Sequence, residues 1–194
     1  MKYVAVNSKI LAMRATPRGV ELEKICHYLP KNARDFLKKF ADGFKFYENL
    51  PRLATLDKPS RDSLRRVFIT ETNLRNILKI YRLKRFYNLR GDEILPYLAP
   101  VGGNAAEISR LAQTAGLDDF LREAAIGTGA AFENNFAHGE KMLAKAVRAA
   151  FKREYRHENL AVACGFLYER WGANGSEDEI HQHNGPYRGH EPRD

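Results

Sequence analysis

The chain has 194 residues, 44% of them hydrophobic and 29% charged, and a net charge of +8. Those values exclude a disordered or collagen-like chain and suit a folded domain able to bury a core without staples. Cys26 and Cys164 lie far apart with neither CxxC nor metal-ligand spacing, which excludes a disulfide framework and points to a reducing compartment.

Apolar residues recur at helical spacing nearly everywhere, and no run alternates as a half-buried strand would. The expected fold is therefore all-α, a bundle of about eight to ten short and medium helices. Val4 to Arg14 is read as a first helix, broken at Thr16-Pro17-Arg18-Gly19. Lys2, Lys9 and Arg14 interrupt its apolar residues, so no signal peptide is expected. Glu21 to Tyr28 forms a second, ended by Leu29-Pro30 because a residue before proline leaves the α region. Lys31 to Phe40 follows, with Phe36, Leu37 and Phe40 on one face.

Asp57 to Ser60 is read as a linker, with Ser60 as the N-cap of the next helix. Glu71 to Phe86 carries the strongest pattern in the chain. Leu74, Ile77, Leu78 and Tyr81 define one apolar stripe. Arg75, Lys79 and Arg82 repeat the spacing one residue later as a basic stripe. Asn88 to Gly91 closes this helix, and Asp92 to Leu98 begins another before Pro100. Short helices are expected at Ala105 to Ala115 and Leu117 to Ala125, then a loop at Gly127 to Gly129. Longer ones follow at Ala131 to Arg153 and Glu158 to Trp171. The helical domain thus spans 1–171. From Gly172 to Asp194 the chain has almost nothing to bury, so a disordered tail is expected.

The sequence offers no catalytic, cofactor or metal site. His181, His183 and His190 lie in the tail beside Glu177, Asp178 and Glu179, where no packed element would hold a metal rigidly. Gly102-Gly103 follows a helix and lacks the rest of a nucleotide-binding loop. Gly127-Thr128-Gly129 opens a helix where an anion can bind, although a plain loop is the simpler reading. Leu160 to Tyr168, the longest nearly apolar run, is too short to span a bilayer.

Charge is concentrated between Lys31 and Arg90, where 16 Lys and Arg face 6 Asp and Glu. Such a block can steer an acidic partner or a nucleic acid, and it is equally a solvated helix surface. Phe44, Phe46, Tyr47, Tyr81, Phe86 and Tyr87 interleave with the basic residues, which leaves base stacking open as an alternative. No nucleic-acid motif accompanies them, and packing is the favoured reading.

From Phe44 to Leu121 the chain resembles the d-like socket subunit in the central stalk of the vacuolar and archaeal-type (V/A-type) rotary ATPases. Phe44-Lys45-Phe46-Tyr47, Leu53, Leu56 and a helix from Arg61 to Arg66 resemble the approach to the second helical repeat. Ile69 to Tyr87 is similar to its central motif, and Glu93 to Leu98 with Pro100 to the continuation. Leu111 to Leu121 resembles the next piece, and Val4 to Met13 more faintly the opening. Thr72 stands where the family usually has aspartate, and the chain is shorter than the family's three helical units. The resemblance implies a non-catalytic central-stalk socket that links the rotor shaft to the membrane ring and has no cofactor. Its partners would be other ATPase subunits, and its location cytoplasmic at the membrane periphery. Arg75, Lys79, Tyr81, Arg82 and Tyr87 are the expected interface residues. A basic helical nucleic-acid-binding protein is the alternative, and nucleic acid is not the expected partner.

Overall fold

Residues 3–5, 7–8, 27–41, 43–99, 101–102, 105–128, 136–156 and 159–169 are described by the structure, a computed structural model. Among the described residues the chain is all-α, with eight helices, two 3-10 segments and no strand. The first helix beyond Ser8, the Glu21 to Cys26 segment and the tail from Gly172 lie outside them.

Helix α1, Lys31–Ala41, buries Ala33, Phe36, Leu37 and Phe40, the i, i+3, i+4, i+7 stripe of an amphipathic helix. Gly43 and Phe44 then reverse the chain at φ of 93° and 49°. The left-handed backbone at Phe44 is held by its ring, packed edge-on to Phe40 and Tyr168. Next come α2, Phe46–Asn49, and a 3-10 segment, Pro51–Thr55.

Helix α3, Lys58–Tyr87, spans 30 residues without interruption, about 45 Å at the usual rise. It joins the helices expected at Arg61 to Arg66 and at Glu71 to Phe86. Asp57 is its N-cap, its carboxylate accepting from the Ser60 amide at 3.0 Å. Ser60 is therefore not the cap: with Pro59 fixing the first turn, the acceptor must stand three residues before the amide it satisfies. At the far end Asn88 takes the left-handed conformation at φ 50°, and the Leu89 amide donates back to the Leu83 carbonyl.

Beyond α3 lie α4, Gly91–Ile94, a 3-10 segment Leu95–Tyr97, α5, Ala105–Ala112, and α6, Leu117–Thr128. A Cβ on Gly91 would sit 2.7 Å from the Cα of Gln113, so the start of α4 closes on the end of α5 only because the residue is glycine. Helix α6 includes Gly127 and Thr128, in place of the expected loop. A helix end, carrying the negative pole of the dipole, therefore occupies the place read as an anion-receiving start. Helices α7, Phe136–Arg153, and α8, Ala161–Leu167, complete the described fold.

Two cores lie along α3. Leu64, Val67, Phe68 and Leu78 join α1, α2, α7 and α8 around stacked and edge-on rings of Phe36, Phe40, Phe46, Phe151 and Tyr168. Ile77, Ile80 and Tyr81 join Ile94, Ile108, Leu111, Phe120 and Ala124 in the second. The expected single stripe is thus split, with Leu78 in the first core and Ile77 and Tyr81 in the second. A helix covered on two sides needs apolar residues on both, and one stripe cannot supply them.

The junction of α7 and α8 is tied to the start of α3 by buried hydrogen bonds. Leu160 N donates to Ser60 Oγ at 3.0 Å, and Asn159 Nδ2 donates to Ser63 Oγ at 3.0 Å. Arg66 forms a side-on pair with Glu154 at 2.8 and 2.6 Å, which holds the Glu154 carboxyl below its ordinary value. No helix among the described residues is long and apolar enough to cross a membrane.

Candidate functional site

Midway along α3 the apolar phase is broken by Glu71, Thr72, Asn73 and Asn76, all buried. Glu71 falls at the spacing of Leu64, Val67 and Leu78, so its side chain points inward toward α7 rather than to water. Its Oε1 accepts from Arg75 Nε at 2.6 Å; the Glu71 side chain is 3% exposed and that of Arg75 54%. Burial raises the Glu71 carboxyl above its ordinary value, and the Arg75 guanidinium opposes part of that rise. The Tyr168 hydroxyl is pushed up to about 12, by burial and then by the Glu71 charge.

Thr72 Oγ1 and Asn73 Oδ1 are buried without a hydrogen-bond partner among the described residues. Each such group costs about 1–3 kcal/mol unless something satisfies it. Asn76 is the opposite case. Its Nδ2 donates to the Ala99 carbonyl at 2.7 Å and its Oδ1 accepts from the Ala99 amide at 3.0 Å. Lys79 Nζ donates to the Tyr97 carbonyl at 2.8 Å, so two α3 side chains strap the 97–99 segment to the helix.

These residues form one wall of a cleft of about 700 Å³. The segment 43–48 supplies a second wall with Phe44, Lys45 and Tyr47, while α7 supplies Glu140, Leu143 and Ala144. Tyr168 contributes from beyond α8. A cleft of this size lies within the range that takes small ligands, roughly 300–1,000 Å³.

The five expected interface residues are not brought together as one surface. Arg75 and Lys79 line the cleft, one paired to Glu71 and the other to the strap. Arg82 is exposed one turn further along. Tyr87 is 64% exposed at the end of α3. Tyr81 is 2% exposed at the centre of the second core and cannot touch a partner. It lies on the opposite side of α3 from the basic stripe, where ring burial outweighs any surface role. Sequence reasoning missed Glu71, Thr72 and Glu140. For the first two the available signal was a polar pair in the apolar phase of a strong helix. Cys164 is buried in the first core, whereas Cys26, His181, His183 and His190 lie outside the described residues.

The geometry defines an all-α domain with a mixed-charge cleft beside its longest helix. Comparison of the chain with protein-family models, with curated proteins and with solved structures finds no match.

The buried Glu71 gives a pH signature with a definite sign. A carboxyl raised in the folded state binds its proton more tightly there than in the unfolded chain. Stability from this group is therefore lost as pH rises from the ordinary carboxylate value through the raised one. Glu71→Gln is expected to be at least as stable as the natural chain at neutral pH, since half-exposed Arg75 remains hydrated. The natural chain should gain on the variant as pH falls through that window. Urea melts of both at several pH values check this; a natural chain that loses ground to the variant on acidification contradicts it.

Proposed function

We propose that the chain is a non-catalytic helical adaptor of the V/A-type ATPase socket kind, placed between central stalk and rotor ring. In this reading it transmits torque for ATP-driven proton or sodium transport, and it is cytoplasmic, held at the membrane through its complex. The ordered resemblance across Ile69 to Leu98 supports it. So does the all-α fold, in which those residues form one long helix and the strap that follows.

The observation that carries the adaptor reading is an aromatic and basic face at the end of α3. Phe86, Tyr87 and Tyr97 are 63%, 64% and 57% exposed, with exposed Arg82, Arg85 and Arg90 between and beside them. Large aromatics and arginines at a surface are what protein interfaces use for buried contact and for steering.

Affinity purification of the full chain from its own cells, with mass spectrometry, tests the assignment. Stalk and ring subunits should co-purify, and the triple variant Arg82→Glu, Phe86→Ser, Tyr87→Ser should lose them. Its melting should barely move, because exposed substitutions usually stay within about 0.5 kcal/mol each. Recovery of no ATPase subunit, with nucleic-acid binding that weakens steeply as salt rises, overturns the reading in favour of a polyanion binder.

A further inference from the structure

The cleft beside α3 holds donors and an acceptor that the fold leaves unused, and they have opposite charge. Arg75 is fixed through its Nε by Glu71, and its two Nη atoms have no partner among the described residues. Lys79 gives one of its three N–H bonds to the Tyr97 carbonyl, and the other two remain for a ligand. Thr72, 3% exposed, lines the same cleft with its hydroxyl unpartnered. These three converge from successive turns of one helix face, since 72, 75 and 79 are spaced by three and four.

Across the cleft Glu140 of α7 accepts no hydrogen bond and closes no ion pair among the described residues. It lies near enough to Glu71, Arg75 and Tyr168 to act electrostatically on all three. A purely anionic ligand would be repelled by Glu71 and Glu140. A purely cationic one would meet Arg75 and Lys79. A molecule carrying both charges satisfies both walls.

We propose that this cleft is a binding site for a small amphoteric ligand, with a carboxylate held by Arg75, Lys79 and the Thr72 hydroxyl and a cationic group held by Glu140. Free α-amino acids, above all those with long polar side chains, are the simplest members of that class. The aromatic walls at Phe44 and Tyr168 cover the aliphatic part of such a ligand, as ligand clefts commonly do. The site is separate from the aromatic face of the adaptor reading and does not depend on it.

The test is a titration of the full, isotopically labelled chain with L-arginine, L-glutamine and L-glutamate, followed by amide NMR. Acetate and methylammonium at matched ionic strength serve as single-charge probes. At least one amino acid should give saturable shifts in residues 71–79 and 138–144, with either single-charge probe at least about tenfold weaker. Thr72→Val keeps the side-chain shape and removes only the hydroxyl, so it should keep the melting temperature or raise it. It should nevertheless weaken binding by about tenfold, the cost of one hydrogen bond to a charged group. Glu140→Gln should do the same for the cationic end. The proposal is overturned by no saturable shift with any amino acid up to about 10 mM. It is overturned equally by acetate binding as tightly as the amino acids, or by both variants binding like the natural chain.

Discussion

Phe68→Ala is expected to cost about 3–5 kcal/mol, the range of a fully buried phenylalanine removed from a close-packed core. Phe68 is wholly inaccessible, and its ring centroid lies 5.0 Å from Phe46, 5.3 Å from Phe40 and 6.2 Å from Phe36. Rings from α1, α2 and α3 therefore meet at this side chain. None can close the gap without breaking its own contacts, because each also packs against another ring. Domains of this size are stable by about 5–15 kcal/mol, so the variant should sit at the edge of unfolding. Phe68→Leu keeps most of the volume and should avoid much of that loss. Guanidinium denaturation of the three proteins checks the order, and a loss below about 1 kcal/mol for the alanine variant would show that the core is not shared as described.

Helix positions were legible where one periodic face met one neighbour. Helix α1 appears within a residue of its expected span, because Phe36, Leu37 and Phe40 all point to the same core. Less legible was the continuity of α3. The polar run Thr70 to Asn73 carries no apolar stripe, yet it is helical because its backbone bonds are satisfied whatever its side chains face. Choosing between Asp57 and Ser60 as cap required knowing which turn Pro59 occupies. Part of the aromatic and basic face was read correctly as exposed, namely Arg82 and Tyr87. The cleft was beyond reach, since its walls come from residues 43–48, 71–79, 140–144 and Tyr168. Polar residues so far apart in sequence have no shared period, and only packing shows that Glu71 and Glu140 face one space.

Tyr81→Ala separates structure from recognition on α3. The side chain is 2% exposed, shares the second core with Ile94, Ile108, Leu111 and Phe120, and meets the Phe86 ring at 6.5 Å. Truncation should cost about 3–5 kcal/mol, as for other buried aromatics, through lost burial and the cavity left among α4, α5 and α6. Tyr87→Ala, six residues further along, removes a ring that is mostly in water and should stay within about 0.5 kcal/mol. The two variants therefore make opposite forecasts in a pair of measurements. Tyr81→Ala should lower the denaturation midpoint strongly, and any partner it loses should return when the protein is assayed at low temperature, where more of it is folded. Tyr87→Ala should leave the midpoint in place and weaken the partner at every temperature. Hydrogen exchange adds a local check. In Tyr81→Ala, protection should fall first in α4 to α6, because those helices meet α3 through the second core, while α1 and α8 keep theirs through the first. Equal loss of protection in both halves would mean that the two cores unfold as one unit. A Tyr81→Ala protein as stable as the natural chain would place that ring outside the core.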